Sequence, residues 1–335
     1  MATAQLLDSV AEATAHRDRD DIDIAVVRLL FDFLDAHRVA IYRVVDDDGV
    51  PRAQRRVALG PGSAMQGPEG HDPARLPSIA DRADWRECLL LQDAVHSLDD
   101  ENFSTRSVHP LSNETRVFGL VEIELGAPLK PRAAGMIDSL LRIVRNHLAL
   151  LDYGERDTLT GLLNRKTFEG SFGKLLAQAR AAGGDGEASW LGVIDIDHFK
   201  RVNDNYGHLF GDEVLLLVSQ LMKRCFRGAD ALFRFGGEEF VVVLERASEE
   251  GAAIAFERLR AAIEQHRFPQ IAQVTASLGY TRIDGSDSPA AAVERADEAL
   301  YFAKRNGRNQ VRHYETLVAA GNVAPKDVRA EVELF

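Results

Sequence analysis

The sequence predicts a mixed α/β (α+β) protein of two domains joined by a helix, and three observations carry that expectation. The chain has 335 residues, about two domains at roughly 150 residues each. Short β-branched runs and segments of helical apolar period occur in both halves. Between them one helical stretch repeats its apolar residues alternately four and three apart. Hydrophobic residues make up 45% of the chain, enough for real cores and too many for a disordered protein.

Charge and cysteine usage exclude several function classes. Lysine plus arginine number 40 against 52 aspartate plus glutamate, a net charge of −12. Such a field repels polyanions and argues against general binding of nucleic acid or an anionic membrane. Cys88 and Cys225 are the two cysteines, too few and too far apart for a disulfide scaffold or a cysteine-rich zinc site. No run of about 18 apolar residues occurs, and Met1 to Asp23 lacks the apolar stretch of a secretory signal. The expectation is a soluble cytoplasmic protein. Two glycosylation-like triplets, Asn102-Phe103-Ser104 and Asn113-Glu114-Thr115, are of a kind that arises often by chance.

Residues 1–20 are polar and read as a flexible N-terminus. The first domain, 21–128, opens with Ile22, Val26, Leu29, Leu30, Phe33 and Leu34 at helical spacing. The β-branched run Val39 to Val45 follows and stops at the turn signal Asp46-Asp47-Asp48-Gly49. Residues 60–78 are rich in Gly and Pro and read as a loop, 84–95 as a short helix or irregular crossover, and Val117 to Leu125 as a closing strand. This layout resembles a GAF-type sensory domain, and another small α/β sensor of similar size fits it equally. His71, Cys88, His96 and His109 fall into no metal-ligand spacing, and Trp85 either lines a pocket or packs. The effector of this domain is unknown.

Pro128 and Pro131 open a linker helix over 129–156. Its residues Ile137, Leu141, Val144, Leu148 and Leu151 have the spacing of a coiled-coil seam between two parallel copies. An ordinary amphipathic helix packed on its own domain has the same period.

The second domain, 157–316, carries the chemistry, and 317–335 read as a C-terminal tail. It begins with Asp157-Thr158-Leu159-Thr160-Gly161-Leu162-Leu163-Asn164-Arg165, then a helix to about Ala182 and a loop at Gly183-Gly184-Asp185-Gly186. The apolar run Trp190 to Ile194 reads as a buried strand that ends in Asp195-Ile196-Asp197. Carboxylates leaving a core need a cation or a strong donor, although turn formers and helix caps give the same pattern. Two further strands, Leu232 to Phe235 and Phe240 to Leu244, are joined by Gly236-Gly237-Glu238-Glu239. The glycines permit positive φ in a tight hairpin and leave its backbone open to a bulky anion. The glutamates present hard oxygen donors. Val214–Phe226, Ala252–Ile263 and Ala290–Lys304 read as helices, and Val274 to Tyr280 as a strand.

This combination resembles the GGDEF-domain diguanylate cyclases. The resemblance rests on the opening stretch 157–165, the run Asp195 to Asp204, Gly207-His208, Gly211-Asp212, the hairpin Gly236 to Phe240, and the tail Ala303 to Asn309. It implies a ferredoxin-like variant, a mostly antiparallel sheet with helices packed against it. It also implies condensation of two GTP into cyclic di-GMP and two pyrophosphates, each 3′-hydroxyl attacking the other nucleotide's α-phosphate. By resemblance Asp195, the Ile196 carbonyl and Glu238 bind Mg2+ or Mn2+, Glu239 contributes to a second metal position, and Glu238 is the candidate proton acceptor. Asn203 and Asp212 match guanine-reading positions and His208 a substrate contact. Gly236 and Gly237 line the nucleotide, while Lys200, Lys304 and Arg308 meet phosphate oxygens. One domain holds one GTP in this family, so the product requires a homodimer. Arg227-Gly228-Ala229-Asp230, five residues before Gly236, matches the family's R-x-x-D product-inhibition site, with Arg258 as a secondary arginine. Non-catalytic receptors of this fold show a damaged hairpin, and relatives that also accept ATP carry Ser where this chain has Asp212. Here the hairpin is whole.

Overall fold

The computed structural model describes residues 3–47, 49–60, 62, 65–68, 75–99, 104–113, 116–181, 188–228, 230–271 and 273–326. His71, Ala229, the loop Gly183 to Gly186 and part of each glycosylation-like triplet lie outside them. The chain divides into two compact units, Met1–Gly154 and Glu155–Phe335.

In the N-terminal unit α1 (Thr3–Ala15) and α2 (Arg19–Leu34) precede β1 (Arg38–Asp47) and β2 (Val50–Leu59). After α3 (Ala83–Leu91) come β3 (Val95–Asp99), β4 (Ser104–Ser112), β5 (Val117–Leu125) and α4 (Pro131–Glu155). The strands form one antiparallel sheet in the order β2-β1-β5-β4-β3. Alternation along β1 sends Val39 and Ile41 into a core with Val26 and Leu30 of α2. Ala40 and Tyr42 go to the opposite face, with Trp85 and Cys88 of α3.

Two expectations change here. Residues 1–20, read as flexible, contain α1, whose Ala13 is buried and whose Leu6 and Val10 pack on the α2 core. Leu6, Val10 and Ala13 are spaced at helical period. The proposed seam on α4 also changes. Ile137, Leu141, Val144 and Leu148 are buried in the core of their own unit, with Leu151 packed against it. The repeat is thus the helix's own packing face, since one period serves a domain core and a partner helix alike. On the other side of α4, Ile143, Leu150 and Tyr153 are exposed.

The side chains singled out in this unit are mostly structural. Trp85 packs on Tyr42 at 4.8 Å between ring centres and donates from Nε1 to the buried Glu122 carboxylate at 2.9 Å. Arg38 and Arg82 complete that carboxylate's partners at 2.7 Å each. Burial pushes the Cys88 thiol up to about 12 and the His109 imidazole down to about 4. Both are therefore neutral at pH 7.

The C-terminal unit builds a six-stranded sheet in the order β11-β10-β7-β9-β8-β6. The strands are β6 (Leu163–Asn164), β7 (Ala188–Ile196), β8 (Ala231–Gly236), β9 (Glu239–Ala247), β10 (Ala276–Arg282) and β11 (Val311–His313). The pairs β10·β7, β7·β9 and β8·β9 are antiparallel; the outer pairs β10·β11 and β6·β8 are parallel. Helices α5 (Arg165–Ala181), α6 (Phe199–Tyr206), α7 (His208–Cys225), α8 (Glu249–Gln265), α9 (Pro289–Arg305) and α10 (Tyr314–Ala319) complete it. The last of these falls partly in the stretch read as a tail.

Central strand β7 is buried along its whole length. Trp190, Ile194 and Ile196 enter the core beneath α7 and α8. Leu191 and Val193 enter the core of α5 and α9. The same alternation puts Asp195 on the α9 side, where β7 leaves the core.

Candidate active site

Asp195 is 7% exposed, and its Oδ2 lies 2.8 Å from Lys304 Nζ near the end of α9. Burial raises the Asp195 pKa; Lys304 opposes that rise, and Asp197 and Asp297 add to it. Glu239 sits directly opposite Asp195 in the β7·β9 register. Glu238 occupies the adjacent turn, and its pKa is raised first by burial and then by the Asp195 charge. The structure thus gathers Asp195, Glu238, Glu239 and Lys304 at one end of the sheet.

The hairpin that carries the glutamates depends on its glycines. Gly236 and Gly237 have φ of +149° and +51°, and a Cβ added to either would meet nothing within 4 Å. The backbone there is strained for other residues and open to an approaching group. Arg234, which the sequence reading passed over, clamps the turn. Its Nε and Nη2 donate to the Gly237 carbonyl at 3.2 and 2.9 Å, and its Nη1 donates to Asp157 Oδ1 at 2.9 Å. Asp157 also accepts from the Thr160 amide and hydroxyl at 2.8 and 2.7 Å. The opening motif therefore braces the hairpin.

Beyond β7, a left-handed His198 (φ +58°) starts α6, which anchors through buried Phe199 and Val202. Lys200 is exposed and Asn203 half-buried on this helix. Gly207 ends α6, donating to the Asn203 carbonyl at 2.9 Å, and His208 begins α7. A Cβ on Gly211 would meet Asn203 Oδ1 at 2.0 Å, so this glycine makes room for the Asn203 amide. Asn203 therefore packs beside the residue that precedes exposed Asp212. Arg308 is exposed in the turn after α9, its amide donating to the Ala303 carbonyl at 3.0 Å.

At the start of β8, Asp230 Oδ2 accepts from the Arg227 amide at 2.8 Å and Oδ1 from the Glu245 amide at 3.4 Å. Burial raises its pKa, while those amides and the Arg227 and Arg258 charges oppose the rise. Arg227 and Arg258 are exposed, and an Arg258 Nη2 reaches the Cys225 carbonyl. The three residues are neighbours.

The acidic end of the sheet suits a hard cation. The Asp195 charge raises the cost of ionising Glu238, and a divalent ion relieves such crowding of carboxylates. Among the described residues no three or more His, Cys, Asp or Glu side chains form a ready cation cluster. Two carboxylates would therefore have to share the ion with backbone or ligand oxygens. Nor, among the described residues, is any helix long and apolar enough to cross a membrane.

Residues 155–310 match the family model described as diguanylate cyclase, GGDEF domain. Over 158 residues the chain is 44% identical to diguanylate cyclase DgcP of Pseudomonas aeruginosa, covering 46% of this chain and 23% of that protein. It is 38% identical over 179 residues to diguanylate cyclase A of Treponema denticola, covering 52% of this chain and 48% of that one. The chain thus spans about half or less of the length of these relatives. A crystal structure of the coiled coil and GGDEF domain of DgcB from Caulobacter crescentus, in complex with c-di-GMP, is 31% identical, with a TM-score of 0.47. That match covers 55% of this chain and 100% of the DgcB one. The similarity to GGDEF domains of diguanylate cyclases thus falls on the C-terminal unit, over residues 155–310.

Proposed function

We propose that this chain is a diguanylate cyclase, condensing two GTP into cyclic di-GMP with release of two pyrophosphates. The observation that carries the reading is the convergence of Asp195, Glu238 and Lys304 beside an open glycine hairpin. Asp195, the Ile196 carbonyl and Glu238, with Glu239 beside them, would hold Mg2+ or Mn2+, whose charge offsets the triphosphate when bound.

The chain's own side chains do the rest. Lys200, Lys304 and Arg308 meet phosphate oxygens, and Lys304 exchanges its Asp195 partner for them as the nucleotide enters. Gly236 and Gly237 let the nucleotide lie against the hairpin backbone. Asn203 and Asp212 read the guanine edge, and His208 contacts the nucleotide beside them. Glu238 takes the proton of the attacking 3′-hydroxyl. Phosphoryl transfer depends mostly on positioning, so in-line placement outweighs this proton transfer.

A product made from two nucleotides requires two such domains face to face, hence a homodimer. The exposed Ile143, Leu150 and Tyr153 of α4 give that dimer an apolar face in place of the buried seam. The N-terminal unit, with its five-stranded sheet, acts as a GAF-like sensor that shifts the assembly between states. Arg227, Asp230 and Arg258 bind the product and hold the catalytic faces apart. Conversion of GTP to cyclic di-GMP by the purified chain, followed chromatographically with and without a chelator, tests the reading. Turnover that is strong with GTP and abolished by the chelator supports it, and an inert chain with GTP and Mg2+ removes it.

A further inference from the structure

We propose that Asp197 is a positioning residue, whose carboxylate holds the turn after α9 so that Arg308 and Lys304 present their charges at the site. The assignment rests on the cyclase reading for what those cations bind, and on geometry for how they are held. Asp197 is 6% exposed, two residues beyond Asp195, and three donors converge on it. Oδ2 accepts from Thr275 Oγ1 at 2.7 Å and from the Asn309 amide at 3.0 Å, and Oδ1 accepts from Ser277 Oγ at 2.7 Å. Its own amide donates to the Thr275 carbonyl at 2.9 Å, which fixes the carboxylate against β10.

The turn needs such an anchor. Arg308 and Asn309 have φ of +62° and +45°; asparagine tolerates the left-handed region, but arginine adopts it only when its surroundings impose it. The Asn309 side chain is fixed as well, accepting from Arg260 Nη1 at 2.8 Å and donating to Glu264 Oε1 at 2.7 Å. Those bonds hold the tip of Asn309. Its amide, which sets the backbone between Arg308 and β11, is held by Asp197. The first carboxylate of Asp195-Ile196-Asp197 therefore faces the candidate metal and Lys304, and the second fixes the frame that carries the cations.

The bonding pattern makes the test discriminating. An Asn at 197 keeps one acceptor for the Thr275 hydroxyl and the Asn309 amide, and its NH2 donates to Ser277, whose hydroxyl accepts as readily. Asp197→Asn in the full chain should therefore keep the KM for GTP within about threefold of the parent. Asp197→Ala leaves the Asn309 amide with no side-chain acceptor and should raise KM by about tenfold or more, with a smaller change in kcat. Should that variant not fold, Asp197→Ser keeps a hydroxyl near β10 but is too short to reach Asn309, and should show the same KM rise. Amide exchange of the peptide covering 304–313 should quicken in Asp197→Ala and Asp197→Ser and not in Asp197→Asn. Unchanged exchange, unchanged KM despite quicker exchange, or an Asn variant as impaired as Ala would each overturn the proposal. A parent chain inert towards GTP would fail the cyclase reading instead, and the exchange data would still decide whether Asp197 holds the turn.

Discussion

Gly211→Ala places the substrate-reading assignment under direct stress. Its new methyl would lie 2.0 Å from Asn203 Oδ1, 3.1 Å from Asn203 Cγ and 3.2 Å from Phe199 Cζ. Non-bonded contacts settle near 3.5–4.0 Å, so the Asn203 amide must move by more than an ångström. That amide is the free end of a side chain on α6, so the backbone of α7 has no need to follow. In a helix, Gly→Ala itself contributes up to about 1 kcal/mol of stability, which offsets part of the crowding. The melting temperature should therefore stay close to the parent's. Losing one or two hydrogen bonds to the guanine edge costs about 1–3 kcal/mol, roughly 5- to 150-fold in kcat/KM for GTP. Initial rates across a GTP series, paired with a thermal melt, measure both quantities. A folded variant with kcat/KM within twofold of the parent would refute the role given to Asn203.

Three further outcomes follow from the same geometry. Val144→Glu buries a charge in the core of the N-terminal unit and should destabilise it by about 3 kcal/mol or more, whereas Leu150→Glu should leave the melt unchanged and weaken self-association in sedimentation; equal melts would return Val144 to the surface. Asp23 is 3% exposed and burial pushes its carboxyl from 3.8 up to about 6. Its folded form binds the proton more tightly than the unfolded chain, so the stabilisation, about 3 kcal/mol, is complete below pH 3.8 and lost as pH rises through 6. A carboxyl-carbon NMR titration with its midpoint below pH 4.5 would contradict this. Arg227→Ala should keep the initial rate and lose inhibition by added cyclic di-GMP, and equal inhibition of both proteins would remove the site.

What the sequence disclosed was contiguous chemistry. Asp195 follows an apolar run, and Gly236 to Glu239 separates two strands, so strand end and hairpin are visible without any partner. Helix direction was not visible in the same way. The repeat from Ile137 to Leu151 is one periodic signal with two physical meanings, and only the core it shares with α2 and the sheet selects between them. The bracing residues were hidden for a different reason. Arg234 meets Asp157 across 77 positions, and Asp197 meets Thr275, Ser277 and Asn309 across 78, 80 and 112. No local pattern marks a residue whose role is defined by a partner so distant in the chain. Even so, a second aspartate beyond Asp195, at a strand end, was a candidate for a buried polar anchor.

Asp195 and Glu238 are proposed as the acidic half of a GTP-condensing site. The most direct test is cyclic di-GMP formation from GTP and Mg2+ by the purified chain and by its Glu238→Ala variant. Glu238 lies on a two-residue turn, so the variant should melt as the parent does. The parent should make product steadily and the variant should be slower by at least about 100-fold. A folded Glu238→Ala chain that makes cyclic di-GMP at the parent's rate would contradict that role.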